Sequence, residues 1–127
     1  MNKQVLSIEQ MIHLRELGLG TSDASMCFEW NESDVDNMVV TSPDADTNYD
    51  YYHETYTLQD ILGKLPCFID TYVLTLQKLA RTGTCMYMEP YSRSILILKE
   101  DKELIDAAYE MLCWCIENGY IGKEKGD

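Results

Sequence analysis

The run Asp101 to Asn118, Asp-Lys-Glu-Leu-Ile-Asp-Ala-Ala-Tyr-Glu-Met-Leu-Cys-Trp-Cys-Ile-Glu-Asn, constrains this chain more than any other stretch. Leu104, Ala108, Met111, Leu112, Cys115 and Ile116 recur at the three- and four-residue spacing of one helical face. Ala107 and Trp114 widen that face on one side, Ile105 and Tyr109 on the other. Only Glu103, Asp106, Glu110 and Glu117 remain as a narrow polar ridge. A helix this apolar around its girth is surrounded by protein, so it is expected to be the central support of the core. Asp106 and Glu110, at i and i+4, are a like-charge pair costing ~0.2–0.5 kcal/mol. Arg81, Arg93 or Lys99 is expected to answer them from the sheet, the alternative being a base on another subunit.

The remaining elements follow in order. Ser7 and Gln10 form a capping box for a helix over Ile8–Leu17, with Ile8, Met11, Ile12 and Leu14 apolar, Arg15 extending its head to water, and Gly18 as the stop. His13, between Glu9 and Glu16, is expected to be solvated. Ser25–Trp30 and Asn37–Thr41 read as a hairpin around Asn31-Glu-Ser-Asp. Ser42–Tyr56 has many breakers and no helical period, so a surface loop is expected over 42–56. Thr57 caps a second helix that turns Leu58, Ile61, Leu62 and Leu65 inward, carries Asp60 near its positive end and stops at Pro66. Phe68–Leu79 alternates as a half-buried strand, Arg81-Thr-Gly-Thr turns the chain, and Cys85–Tyr91 returns. Ser94–Lys99 is a third extended run, either a separate strand or the far side of a bulge. The long helix ends at Gly119, and 122–127 is a loose tail. The expected fold is one α+β domain over 1–127: an antiparallel sheet of four to five strands with about three helices, the C-terminal one central, covering mainly one side.

Charge is unevenly placed. The chain has 22 acids and 10 bases, a net −12. Between Glu16 and Leu62 stand eleven acids and no Lys or Arg, so the rest of the chain is close to neutral. Such a field repels nucleic acid and anionic membranes and attracts basic partners. No apolar run reaches the ~20 residues of a membrane span. The first residues lack the apolar centre and cleavage site of a signal peptide, which points to the cytoplasm. Five cysteines without a CxxC pair fit a reducing compartment. Cys113 and Cys115 are about 200° apart around a helix and could not share a metal, so they read as small hydrophobes.

No cofactor or metal motif stands out. Gly18-Leu-Gly20 closes a helix rather than opening one, the reverse of a phosphate loop. Asp44-x-Asp46-x-Asn48-x-Asp50 copies four ligand positions of a calcium loop, but Tyr49 stands where glycine is required and Thr55 where the bidentate Glu belongs. The stronger candidate is a partner-binding set: Asp44, Asp46, Asp50 and Glu54 interleaved with Tyr49, Tyr51, Tyr52 and Tyr56. Carboxylates attract a basic surface at long range, and tyrosines supply rigid contact area. The expected function is that of a non-enzymatic accessory protein binding a protein with a basic surface, with no direct nucleic-acid or membrane binding. A homodimer is compatible with the sequence. The alternatives are a small hydrolase or nucleotide-modifying enzyme with a dispersed site, and a DNA-mimicking inhibitor, which would need a more rigid display of carboxylates.

Leu17-Gly-Leu-Gly-Thr-Ser-Asp-Ala-Ser-Met26, Tyr56-Thr-Leu-Gln-Asp-Ile-Leu-Gly-Lys-Leu-Pro66 and Ile105–Tyr120 together are similar to small uncharacterised proteins from prophage-like or mobile-element regions of gut anaerobic bacteria. That resemblance covers a third to a half of the chain. It implies a bacterial cytosolic or phage-associated origin and carries no activity or site residue with it.

Overall fold

The computed structural model describes residues 3–42 and 51–121, with the side chains of 34–37 left aside. The elements run α1 (Ile8–Glu16), β1 (Met26–Asn31), β2 (Asp34–Thr41), β3 (Tyr51–Thr55), α2 (Leu58–Lys64), β4 (Phe68–Ile69), β5 (Tyr72–Lys78), β6 (Gly83–Met88), β7 (Ile95–Asp101) and α3 (Leu104–Glu117). The class is α+β with antiparallel pairing throughout. The strands divide between two sheets, ordered β2-β1-β3 and β4-β5-β6-β7, where the sequence suggested one sheet of four to five. The extra sheet is completed by β3. It occupies part of the stretch expected to be a loop, which is a correction to the 42–56 boundary. Tyr51–Thr55 pairs antiparallel with β1, Trp30 opposite Tyr51 and Met26 opposite Thr55.

Helix α3 is the central support. Ile105, Ala107, Ala108, Met111, Leu112, Cys113, Cys115 and Ile116 are all buried. On the sheet side it meets Leu74, Leu76, Cys85, Tyr87 and Ile97, and on the other Met11, Leu14 and Ile61, all within one core cluster. Cys113 and Cys115 do point apart. Cys113 lies near His13 of α1, whereas Cys115 faces Tyr87 of β6. Tyr87 is fully buried on the central strand, and its hydroxyl donates to Pro66 O at 2.8 Å, tying the end of α2 to the sheet.

The caps behave as their residue types require. Ser7 and Gln10, and Thr57 and Asp60, form reciprocal capping boxes. Gly18, at φ 100°, closes α1. The expected strand over 68–79 is broken at Asp70, whose φ of 54° makes the turn between β4 and β5. Ser94–Lys99 becomes the separate strand β7, with a register shift at its start, where Met88 faces Ile95 and Tyr87 faces Ile97. Two details of α1 differ from expectation. Ile12 is exposed, because α1 docks through Met11 and Leu14 alone. His13 is not merely solvated: its Nδ1 lies 2.7 Å from the Tyr109 hydroxyl, across the α1–α3 seam.

The polar ridge of α3 finds its counter-charge from an unexpected direction. Lys3, not a sheet arginine, reaches Asp106 at 2.7 Å, and Gln10 Nε2 donates to the same Oδ1 at 2.9 Å. Glu110 is less well provided. One carboxylate oxygen is buried without a hydrogen-bond partner. Burial raises its pKa, the neighbouring Asp101 raises it further, and Lys99 only partly offsets them. A raised folded-state pKa means that the carboxylate form is penalised on folding. Stability therefore falls as pH climbs from the unfolded carboxyl range near ~4.3 through the raised folded value. Glu110→Gln should raise the melting temperature at pH 7 and leave it nearly unchanged near pH 4, measured by thermal circular dichroism. An equal shift at both pH values would show that charge is not the cause.

Gly83 lets α3 approach β6: a Cβ there would stand 2.6 Å from the Leu104 Cα, a backbone atom that cannot step aside. Gly63, in α2, faces open space. Urea denaturation should find Gly83→Ala destabilised by ~1–3 kcal/mol and Gly63→Ala stabilised by up to ~1 kcal/mol. A neutral Gly83→Ala would mean that the helix can lift off the strand without cost.

Candidate functional site: an aromatic face on the three-stranded sheet

Alternation along β1 sorts its side chains. Cys27 and Glu29 are buried on one face, and Met26, Phe28 and Trp30 lie half-buried on the other. Register carries the second face across the sheet, with Phe28 between Val40 and His53 and Trp30 opposite Tyr51. By the same alternation Met38 lies beside Val40 on β2. Met38, Val40 and Tyr51 are exposed, and none of these residues belongs to the core cluster. The Trp30 and Tyr51 rings stack at 5.7 Å with 23° between their planes. One face of this sheet is therefore a surface of aromatic, thioether and branched side chains. At its Met26–Val40 end it runs into an open groove of about 740 Å³ between the two sheets, also lined by Leu58, Lys78, Leu104 and Ile105.

The opposite face is tied down. Glu29 is only 3% exposed, and the Cys27 thiol donates to it at 3.5 Å. Glu54 accepts from Thr21 at 3.1 Å and lies 3.8 Å from Arg15, so the head of Arg15 is directed toward this carboxylate. Nearby, Asp23 pairs with Lys64 at 2.5 Å and with the Tyr56 hydroxyl at 3.0 Å. Burial alone would raise its pKa. The hydrogen bonds from Lys64 and Tyr56, with the Lys64 charge, outweigh that and hold it below the usual range. Asp60 caps α2 and accepts from Ser25. Four of the eleven acids between Glu16 and Leu62 thus hold the fold together, two of them against bases from outside that segment. Glu16 and Glu32 remain exposed.

The sequence-derived partner set divides accordingly. Tyr51 stands on the aromatic face, whereas Tyr56 is fully buried in the core and offers no contact surface. Tyr52, 70% exposed, and Glu54 point to the other side by alternation, and Glu54 is engaged by Thr21 and Arg15. Asp44, Asp46, Tyr49 and Asp50, and with them the calcium-like spacing, lie outside the described residues. Phe28, Trp30, Met38 and Val40 were missed as site residues. The signal was present in the alternation Met26, Phe28, Trp30 against Cys27, Glu29, which predicts a strand with one wholly apolar face.

A second constellation has the residue types of nucleophilic catalysis. His13 Nδ1 lies 2.7 Å from the Tyr109 hydroxyl and 3.7 Å from Cys113 Sγ. Burial pushes the Cys113 thiol up to about 11, against a lowering hydrogen bond with Tyr109, and Glu117 and Glu110 raise it further. A nucleophilic cysteine needs the reverse shift. Burial first, then Cys113, raises the Tyr109 hydroxyl as well. The group fastens α1 to α3. Among the described residues no cluster of three or more His, Cys, Asp or Glu could hold a metal ion. No described helix is long and apolar enough to cross a membrane. Comparison with protein-family models, curated proteins and solved structures finds no match.

Thiol chemistry checks this reading. Cys67 is exposed, whereas burial pushes Cys27, Cys113 and Cys115 up to about 11 and Cys85 to about 12. Iodoacetamide at pH 8 should label Cys67 alone in the folded protein and all five cysteines after unfolding, as read by peptide mass spectrometry. Fast native labelling of Cys113 would mean that His13 activates it.

Proposed function

We propose that the protein is a non-enzymatic accessory protein of the bacterial cytosol that binds a partner protein with a basic surface through its three-stranded sheet. The observation that carries this reading is the face on which the half-buried Trp30 stacks with the exposed Tyr51 beside the exposed Met38 and Val40, within a segment of eleven acids and no Lys or Arg. Aromatic and methionine side chains are enriched at protein interfaces, and rigid rings give contact area at low entropic cost. The acids of the segment supply attraction at a distance and the rings supply contact energy close in, a division common to steered complexes.

The test is capture from host extract on immobilised wild type, Trp30→Ala and Tyr51→Ala, at low and high salt. A specific partner should be held by the wild type, weakened ~10-fold or more by Trp30→Ala, and reduced by salt. All three proteins should keep the same circular dichroism. Equal retention by the variants overturns the aromatic contact, and indifference to salt overturns the electrostatic part.

A further inference from the structure

The open groove at the end of the aromatic face has no part in the partner contact proposed above. Its volume of about 740 Å³ falls within the range of small-molecule sites, ~300–1,000 Å³. Its apolar lining is drawn from well-separated parts of the chain: Val5 ahead of α1, Met26 and Val40 of the three-stranded sheet, Leu58 at the start of α2, and Leu104 and Ile105 at the start of α3. Backbone contacts fix two of these walls. Gly83 lets the first turn of α3 down onto β6, and the bridge between Val5 and Thr57 holds the start of α2 against the N-terminal segment. The space is therefore set by the fold before anything enters it.

Charge indicates the occupant. Among the described residues the groove is lined by three charged side chains, Lys3, Lys78 and Glu103. Two of them are engaged. Lys3 Nζ reaches Asp106 at 2.7 Å and Gln10 at 2.8 Å, and Glu103 Oε1 accepts from the Lys3 amide at 3.2 Å. Lys78 is not answered in this way. Alternation along β5 sets it on the α3 side with Leu74 and Leu76, opposite Gly83. Its ammonium donates to the Leu79 carbonyl at 3.4 Å, and among the described residues no carboxylate pairs with it. An apolar space beside one uncompensated ammonium suits an amphipathic anion. A peptide would bring a row of backbone donors and acceptors, which this lining is poorly placed to meet, since Thr57 Oγ1 is already taken by the Asp60 amide at 3.2 Å. The net charge of −12 opposes anions at long range, but screening limits that field to ~8 Å at physiological salt. It therefore selects for a single head charge, which Lys78 can neutralise, over a phosphate or a nucleotide. We propose that the groove binds a small amphipathic monocarboxylate, its hydrocarbon body against Met26, Val40 and Leu58 and its carboxylate at Lys78.

This inference is independent of the partner-binding reading, and its test uses no partner. The probe is sodium decanoate, kept below micelle formation and titrated into the full chain by calorimetry, with methyl NMR spectra of the same samples. A saturable one-to-one isotherm is expected, with shifts confined to the apolar lining of the groove. Decanol, which keeps the chain and drops the charge, should bind ~10-fold or more weakly. Lys78→Glu should weaken decanoate to a similar extent with unchanged circular dichroism. Should Lys78→Glu lose its fold, Lys78→Gln decides. Arg93→Glu makes the same charge change at the turn between β6 and β7, the other end of the sheet, and should bind as the wild type does, as should Trp30→Ala. The proposal is overturned by the lack of a saturable isotherm, by equal affinity for decanol, or by full binding in the Lys78 variants. An equal loss in Arg93→Glu would trace the effect to net charge, and shifts centred on Phe28 and Tyr51 would trace it to the aromatic face. Either result overturns it as well.

Discussion

Helix α3 can lie close along β6 and β7 because the strand beneath its first turn begins with glycine. At Gly83 the Leu104 backbone occupies the space a side chain would need, and from there the helix runs on over Cys85, Tyr87 and Ile97. Close approach of a helix to a sheet is set by the smallest residue at the crossing, since side chains in a packed interior have little room to adjust. α1 and α2 then dock on the far side of α3 through Met11, Leu14 and Ile61. Polar fasteners sit at the margins of this layer. Lys3 and Gln10 meet on Asp106, His13 meets Tyr109, and Tyr87 reaches Pro66. Each lies where two elements meet, so each fixes the position of one against another.

The three-stranded sheet stands in a different relation to this core. It is attached at one end: Thr55 donates to Leu6 O at 2.6 Å, the Leu6 amide donates to Tyr56 O at 3.0 Å, and Tyr56 is fully buried with its hydroxyl near Gly20 O and Asp23. One face is then secured by Arg15, Thr21 and the buried Glu29, while the other goes no further than Trp30, Tyr51 and the groove. Antiparallel sheets usually resolve such a situation by making the free face polar. That it is aromatic here is not explained by the fold, and contiguous exposed apolar surface is the kind on which the proposed contact rests.

How much of this could be read in the sequence depends on whether the signal was local. α3, both capping boxes and the Gly18 stop are local patterns, and they reappear with the residues that define them. The opposed directions of Cys113 and Cys115 follow from helix geometry alone. β3 was missed because Tyr-Tyr-His-Glu-Thr shows no polar–apolar alternation. Its strand character comes from pairing with β1, a contact remote in sequence. The same non-local pairing hid the site, since Tyr51 and Tyr52 look equivalent in the chain and stand on opposite faces in the sheet. The counter-charges were legible in part: Lys99 does act on Glu110 from the sheet, but Lys3 reaches Asp106 from 103 positions away, a distance that no spacing rule covers. The acids of Glu16–Leu62 read as surplus in composition, yet Asp23, Glu29, Glu54 and Asp60 prove to be structural.

The acids around the three-stranded sheet have two kinds of work to divide between them. Asp23 and Glu54 are answered by Lys64 and Arg15 from outside their segment, and Glu29 is buried, so these carboxylates fasten the sheet before any charge is left to act at a distance. The rings of Trp30 and Tyr51 stack on one another on the opposite face, where the sheet already holds them in place. If that face is used as proposed, little side-chain freedom is lost there on contact, and salt bears on the approach of a partner more than on the contact itself.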